Sequence, residues 1–211
     1  MTTLYYVHDP MCSWCWGFSR VWQETLTALP QNIQVVRLLG GLAPDTDTAM
    51  PQEMQRKLAE TWRHITSRIP EVEFNFDFWT VCSPRRSTYP ACRAVIAARQ
   101  QGDEYDIGMT QAIQRAYYLQ ARNPSETSTL VALAGELDLD AAAFESALSA
   151  PQTQEQLMQE IAQARRMGAD SFPSLVLAHH GGHWQIPIDY SDSSPMLELI
   201  DLVMSEHSPS A

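Results

Sequence analysis

Hydrophobic positions near the start of the chain follow first a strand pattern and then a helix pattern. Residues 4–7 form a short apolar and aromatic run typical of a buried strand. Apolar side chains then recur at helical spacing until Pro30, and residues 33–39 form a second apolar run closed by two glycines. A strand, a crossover helix and a second strand predict a βαβ unit with parallel strands.

The middle of the chain has mostly helical periodicity. One apolar stripe opens after Pro51 and ends at Pro70. The run Phe74–Phe78 alternates like a short strand, but an aromatic connector packed on the helices is the favoured interpretation. Further helices are predicted for residues 91–100, 103–121, 124–137, 140–148 and 151–167.

Strand character returns near the end of the chain. Two apolar arms, residues 174–178 and 183–188, flank a turn of two histidines and two glycines and predict a hairpin. Ser194 and Pro195 then open a final helix.

This order of elements predicts an α/β fold with one interrupted domain. The sheet domain is expected to comprise residues 1–45 and 165–211, and the helical insertion residues 46–164. We expect His207–Ala211 to be disordered.

Two cysteines spaced as C-x-x-C stand where the first strand gives way to the first helix. The free N–H groups and the dipole at a helix start stabilise a thiolate, so the pKa of Cys12 is predicted below the free value of about 8.5. Cys15 lies roughly one turn further along and is expected to be more buried. Cys12 then attacks and Cys15 resolves the mixed disulfide. An inert cysteine pair and a metal site are the alternatives, although zinc normally needs a second ligand pair.

Composition and charge narrow the classes of function. The 211 residues carry a net charge of −11, which argues against a nucleic-acid or anionic-membrane partner. No apolar run approaches the roughly 20 residues of a membrane span, and residues 1–11 lack the features of a leader. Four cysteines are too few for a secreted disulfide scaffold, so we expect a cytoplasmic protein with a dithiol resting form.

Pro173 stands directly before the third predicted strand. Proline has no N–H group and therefore suits the first residue or the edge of a strand. One interpretation is an ordinary trans loop proline. The other is a cis-proline beside Cys12, which leaves the Phe172 backbone free to pair with an extended substrate.

Two distant cysteines and a histidine cluster are further candidate groups. Cys82 and Cys92 are interpreted as partly buried free thiols. A disulfide between them, or a role in relaying oxidation with the help of nearby arginines, stays open. The cluster at residues 179–183 lies in a predicted tight turn with no carboxylate or thiol at ligand spacing, so no metal site is predicted there.

Polar and aromatic residues next to the cysteines have two interpretations each. His8 and Asp9 precede the loop, and the histidine either exchanges a proton with the thiols or is an ordinary hydrogen-bonding residue. Trp14 and Trp16 flank Cys15. We expect one of these rings in the core and the other exposed as an apolar patch for unfolded peptide.

Together these features resemble the DsbA-like branch of the thioredoxin superfamily. The run Asp9-Pro10-Met11-Cys12-Ser13-Trp14-Cys15-Trp16-Gly17-Phe18 and the segment Tyr89-Pro90-Ala91-Cys92-Arg93-Ala94 are similar to the FrnE-type cytosolic thiol oxidoreductases. The resemblance covers nearly the whole chain and implies a thioredoxin-like fold with an inserted all-helical domain. It implies an active-site loop with Pro10, Ser13 and Trp14, and a cis Pro173 facing Cys12.

Two departures from these relatives refine the expected activity. Strongly oxidising periplasmic members carry Pro-His between the cysteines, whereas this chain has Ser13-Trp14, which implies a weaker oxidant. Related glutathione-dependent isomerases and kappa-type transferases carry serine in place of the first cysteine, so Cys12 argues against their chemistry.

The predicted function is a cytosolic thiol–disulfide oxidoreductase or isomerase acting on disulfides of proteins or small thiols. No bound cofactor is expected, and glutathione is a candidate reductant. The alternatives are a glutathione-dependent isomerase or transferase of a small aromatic substrate, and a non-catalytic peptide-binding module. The residues leave the oligomeric state open.

Overall fold

A four-stranded sheet is the centre of the fold in the computed structural model, which describes residues 2–206. The strands lie in the order β2-β1-β3-β4, with β1 parallel to β2 and β3 antiparallel to both of its neighbours. The predicted βαβ unit and C-terminal hairpin are therefore confirmed. The strands are β1 Thr2–His8, β2 Ile33–Leu39, β3 Ser174–His179 and β4 Gly182–Ile186.

Helices account for the rest of the regular structure in residues 2–206, apart from one isolated bridge between Ala49 and Arg85. Seven of the helices lie between β2 and β3, and the division into two domains at the predicted boundaries stays a prediction. The helices are α1 Ser13–Ala28, α2 Gln52–Arg68, α3 Phe78–Val81, α4 Tyr89–Arg99, α5 Tyr105–Tyr118, α6 Thr127–Glu136, α7 Ala141–Leu148, α8 Pro151–Arg166 and α9 Ser194–Glu206.

Short segments are where the predicted elements are tested most closely. Residues 74–77 form no strand, and the Phe74 ring stacks on Trp62 at 4.9 Å, which agrees with the favoured interpretation of an aromatic connector. The short helix α3 was not predicted, because four residues are too few to show a helical period. The hairpin turn is two residues shorter than predicted, because His179 and Gly182 pair within the strands. The two turn residues, His180 and Gly181, have φ angles of 43° and 84°, as in a type I′ turn.

The sheet is buried on both faces, which places the end of β1 in the interior. Leu4 and Tyr6 pack with α1 and α9 on one face, whereas Val7 packs against Ala164 of α8 on the other. A separate apolar cluster around Trp62 fills the space between the inserted helices. Within the described residues, no helix is long and apolar enough to cross a membrane, and His207–Ala211 lie outside that part of the chain.

Candidate active site

Cys12 is the N-cap residue of α1. Its backbone is extended, with φ −82° and ψ 115°, and its carbonyl accepts the first helical hydrogen bond from Trp16 at 3.1 Å. Its own N–H donates to the Asp9 carbonyl at 3.0 Å, which closes the loop after β1. Because N–H groups of the first helical turn have no partner within the helix, the Cys12 sulfur lies where partial positive charge accumulates.

The two cysteines have opposite pKa shifts. A hydrogen bond from the Cys15 thiol lowers the pKa of Cys12, and the backbone N–H groups of Cys15 and Trp14 lower it further, against the effects of burial and of the Asp9 charge. Burial raises the pKa of Cys15 well above its ordinary value, and its hydrogen bond to Cys12 adds to this. Of the two thiols, Cys12 is therefore the one that loses its proton first, while Cys15 keeps its own.

The segment before β3 covers the Cys12 sulfur. The Cys12 thiol donates a hydrogen bond to the Phe172 carbonyl at 3.3 Å, and the Phe172–Pro173 peptide bond is cis. The Phe172 ring packs directly over Gly40 at the end of β2, where an added Cβ would lie 2.0 Å from the ring. Cys12 is only 6% exposed, and Cys15, inside α1, only 1%.

Asp9 is a fully buried carboxylate that holds the loop in place. One oxygen accepts from the Met11 N–H at 2.8 Å, and the other accepts from the Leu42 N–H at 2.7 Å and the Thr88 hydroxyl at 2.6 Å. Burial raises the pKa of Asp9, and these hydrogen bonds oppose that effect. The sequence indicates only that Asp9 stands beside the loop, since two of these three partners, Leu42 and Thr88, are 33 and 79 residues away.

Cys82 and Cys92 are free thiols in the structure, each with its own partner. The Cys92 thiol is buried and lies 3.5 Å from an oxygen of Asp9, whereas the half-buried Cys82 thiol donates to the Ala121 carbonyl at 3.1 Å. Burial raises the pKa of both thiols. This geometry favours the interpretation of two unreactive free thiols over a disulfide or a relay.

His8 belongs to a buried polar network at the end of β1. Its Nε2 lies 3.1 Å from the Arg37 guanidinium, and its ring stacks on Tyr6 with centroids 4.9 Å apart. Burial lowers the pKa of His8 well below its ordinary value, and the charges of Arg37 and Arg99 lower it further. A neutral, hydrogen-bonding histidine fits these contacts.

Both tryptophans of the loop are half-buried, so the expectation of one core ring and one exposed ring is wrong. Trp14 contacts His64 and Tyr190, with ring centroids 5.8 and 5.1 Å away. Trp16 stacks on Tyr118 at 5.6 Å and donates its indole N–H to the Glu73 carbonyl. The inserted helices cover the start of α1, which local sequence cannot reveal. Pro10 is buried and Ser13 half-buried in the same loop.

A model of the DSBA-like thioredoxin domain matches residues 3–195 of this chain. The chain belongs to that family. It is a DsbA-like oxidoreductase, and the predicted fold class and enzyme class are confirmed. Among curated proteins, none is significantly similar to the sequence.

Solved structures share the fold of this DsbA-like protein over nearly its whole length. A candidate protein disulfide isomerase from Nitrosomonas europaea has a TM-score of 0.84 and 24% identity, covering 98% of this chain and 99% of its own. The cytosolic disulfide reductase DsbM from Pseudomonas aeruginosa has a TM-score of 0.77 and 22% identity, covering 97% and 99%. A probable DsbA oxidoreductase from Streptomyces coelicolor has a TM-score of 0.74 and 17% identity, covering 100% and 93%.

Three tyrosines near the dithiol of this DsbA-like protein were missed in the sequence. The Tyr6 hydroxyl is hydrogen-bonded to the Cys15 thiol, and burial raises the pKa of Tyr6 well above its ordinary value. Burial raises the pKa of Tyr118 and of Tyr190, and nearby negative charge, including that of the Cys12 thiolate, raises both further. These residues come from β1, α5 and the segment after β4, so only the fold brings them together.

Proposed function

We propose that this DsbA-like protein is a cytosolic thiol–disulfide oxidoreductase whose dithiol is Cys12 and Cys15. The observation that supports it best is the hydrogen bond from the Cys15 thiol to a Cys12 sulfur at the N-terminus of α1. Its substrates are disulfides of proteins or small thiols. A cytosolic disulfide reductase among the structural neighbours, a protein also solved with GSH, supports the cytosolic location and glutathione as reductant.

The reaction consists of two thiol–disulfide exchanges. The Cys12 thiolate attacks one sulfur of the substrate disulfide, forming a mixed disulfide and releasing the other sulfur as a thiolate that takes up a proton. Cys15 then gives up its proton and attacks the Cys12 sulfur, which expels the second substrate thiolate. The substrate gains two electrons and leaves as a dithiol, and the enzyme is left with a Cys12–Cys15 disulfide.

The substrate segment next to the disulfide is proposed to bind in extended form along Phe172 and Pro173. The Phe172 carbonyl accepts from the Cys12 thiol, so substrate backbone at this position would lie directly beside the attacking sulfur. This contact exists only while Cys12 holds its proton, because a thiolate cannot donate. Deprotonation therefore frees the carbonyl for the substrate.

Trapping of mixed disulfides tests the roles of the two cysteines. Cys15→Ser should accumulate disulfide-linked partners in cells, because Cys12 can still attack but nothing resolves the product. Cys12→Ser should trap none and should lose insulin reduction, whereas Cys82→Ser serves as a thiol control with normal trapping. If Cys12→Ser reduced insulin as fast as the wild type, the proposal would be overturned. Saturable glutathione binding that survives the loss of Cys15 would instead point to the glutathione-dependent isomerase or transferase.

The pH dependence of alkylation tests the hydrogen bond between the two thiols. The rate for Cys12 should rise with pH and reach half its maximum below the free cysteine value of about 8.5, because only the thiolate reacts. Cys15→Ala removes the donor and should move this midpoint upward, whereas Cys15→Ser keeps a donor and should move it less. An unshifted wild-type midpoint would instead favour the non-catalytic peptide-binding module.

The reduction potential follows from the residues between the cysteines. With Ser13-Trp14 in place of Pro-His, we expect a value between about −270 mV, as in thioredoxin, and about −120 mV, as in DsbA. Equilibration with glutathione buffers measures this potential, and a value outside the interval contradicts the expectation.

A further inference from the structure

Resolution of the mixed disulfide requires a buried thiol to lose its proton. Cys15 is 1% exposed and lies inside α1, so bulk water does not surround its sulfur. In the reduced protein its thiol donates a hydrogen bond to Cys12. Once Cys12 is bonded to a substrate sulfur it carries no negative charge, and the proton of Cys15 then needs another acceptor.

Tyr6 of β1 is the side chain that meets Cys15 from the sheet. Its hydroxyl is hydrogen-bonded to the Cys15 sulfur. The ring stacks on His8 and on Trp22, with centroids 4.9 and 4.4 Å away, and the Arg37 guanidinium lies 5.5 Å from the ring centroid. Packing on three sides therefore fixes the position of this hydroxyl beside the resolving sulfur.

A cavity of about 350 Å³ between α1 and α5 is lined by both Tyr6 and Cys15. The side-chain amides of Gln111 and Gln114 on its wall offer hydrogen-bonding groups to water. The indole N–H of Trp22, which also lines it, is buried without a hydrogen-bond partner in residues 2–206, and water normally satisfies such groups. Exposed side chains on the wall show that the cavity reaches the surface; they are Arg20, Gln23, Gln111 and Arg115. A proton that enters this cavity can therefore pass to bulk water.

We propose that the Tyr6 hydroxyl relays the proton of Cys15 to water in this cavity during the second exchange, and then stabilises the Cys15 thiolate. This inference rests on the proposed function, because it concerns the resolving step of that reaction. It makes Tyr6 a catalytic residue, since its hydroxyl touches a reacting sulfur atom.

The relay moves one proton and leaves Tyr6 unchanged. The tyrosine oxygen takes the proton of the Cys15 thiol as it passes its own proton to a water molecule on the cavity side. The hydroxyl hydrogen then points at the new thiolate and donates to it. This thiolate bonds to the Cys12 sulfur, and the bond between Cys12 and the substrate breaks with the substrate sulfur leaving as a thiolate. No electrons move beyond the two that the substrate gains.

The causes of the Cys15 pKa shift support a loss of the proton at this step. The three largest effects that raise this pKa are burial, the hydrogen bond to Cys12 and the Cys12 charge. The last two disappear when Cys12 forms the mixed disulfide, so burial is the largest effect left. Burial also raises the pKa of Tyr6 well above its ordinary value, so the hydroxyl keeps a proton to donate to the thiolate.

Release of a coloured thiolate separates the two exchanges in a single turnover. When reduced protein reacts with a limiting amount of the aromatic disulfide dithionitrobenzoate, attack by Cys12 releases one thionitrobenzoate and resolution by Cys15 releases the second. Cys82→Ser serves as the background, so that the half-buried Cys82 adds no signal. Tyr6→Phe should leave the first phase unchanged and slow the second about 3–10-fold at neutral pH, with the midpoint of its pH profile moved upward.

Tyr5→Phe is the matched control, because it makes the same change on the neighbouring residue of β1, which packs on the opposite face of the sheet from Tyr6. Both phases should keep their wild-type rates. Tyr6→Phe leaves the other ionisable groups around Cys15 in place; they are Asp9, Arg37, Tyr118 and Tyr190. A moved midpoint of the second phase therefore reports the missing hydroxyl.

Replacement of Tyr6 by fluorotyrosine keeps the shape of the ring and carries the test if Tyr6→Phe does not fold. Its more acidic hydroxyl is a stronger donor and should move the midpoint of the second phase to lower pH, with the first phase unchanged.

Equal second phases in Tyr6→Phe and Tyr5→Phe, or an unmoved midpoint in the fluorotyrosine variant, would overturn the inference and leave the proposed function intact. Equal slowing of both phases by Tyr6→Phe would mean a structural role for Tyr6 and would overturn it as well. A wild-type protein that releases no thionitrobenzoate in the first phase would instead disprove the proposed function itself.

Discussion

Among single residues, Cys12 and Cys15 differ because of their positions relative to α1. Cys12 caps the helix, where backbone N–H groups are free to stabilise its thiolate, and a local pattern of strand, C-x-x-C and helix is enough to predict this. Cys15 lies inside the helix against Tyr6, a contact that depends on the sheet and could not be predicted locally. The role of Cys12 as attacking thiol can thus be predicted from local sequence, whereas the burial of the resolving Cys15 depends on tertiary contacts.

The neutral, buried His8 should make the protein less stable in acid. In the unfolded chain its imidazole takes up a proton near pH 6.5, whereas in the folded protein its pKa lies well below that value. Unfolded molecules bind more protons, so the free energy of unfolding should fall as pH drops below 6.5, by up to about 1.4 kcal/mol per unit from this group.

His8→Gln keeps an acceptor for Arg37 but cannot be protonated, so it should flatten this dependence. Urea unfolding at pH 7.5, 6 and 5 measures the slope. His183→Gln is the control, because His183 is exposed on β4 and its replacement leaves the buried imidazole in place. Equal slopes in wild type and His8→Gln would show that His8 is not the responsible group.

Among the elements, those with long periodic patterns could be predicted, and those determined by tertiary contacts could not. The spacing of Phe18, Val21 and Trp22 is a helical pattern whatever the rest of the chain does, and these residues are buried in α1. The exposure of Trp14 and Trp16 could not be predicted in this way. Both are half-buried because rings from α2, α5 and the segment after β4 pack against them. Asp9 likewise acquires its role only when Leu42 and Thr88 reach it.

The end of β2 depends on a glycine for its contact with the segment before β3. Gly40→Ala would place a Cβ 2.0 Å from the Phe172 ring, so the ring and the carbonyl beside Cys12 must shift. We expect a loss of about 1–3 kcal/mol in unfolding free energy and slower insulin reduction. Gly135→Ala is the matched control, because an added Cβ meets no atom within 4 Å there.

A double-mutant cycle decides whether this contact is the cause. Phe172→Ala removes the ring that the new methyl group would meet. Gly40→Ala should therefore cost much less unfolding free energy in the Phe172→Ala background than in the wild type. Additive losses in the double variant would mean that Gly40 is required for a reason other than the Phe172 ring.

For the whole molecule, a buried charge network connects the sheet to the inserted helices. Asp106 of α5 pairs with Arg37 of β2 and with Arg99 of α4. Arg99 also pairs with Glu160 of α8, whose second oxygen accepts from the Leu39 N–H of β2 at 2.8 Å. The network therefore starts and ends on β2 and holds three inserted helices against it. None of these charges had a local signal in the sequence, because their partners lie on separate elements.

Asp106→Asn should be strongly destabilising, because it leaves two guanidinium groups facing each other without the charge between them. Side-chain exposure of 9% for Asp106 and 14% for Arg37 classes this pair with buried ion pairs, for which loss of one partner costs about 3–5 kcal/mol. Glu136→Gln breaks the exposed pair with Arg122 and should cost at most about 1 kcal/mol.

Unfolding of these variants, followed by circular dichroism and by tryptophan fluorescence, also tests how the sheet and the helices are joined. Coincident transitions are expected in the wild type, because the network and β2 must separate together. In Asp106→Asn the two transitions should no longer coincide, because the inserted helices can then separate from β2 before the sheet unfolds. A loss in Asp106→Asn no larger than in Glu136→Gln would mean that apolar packing alone holds the inserted helices on the sheet.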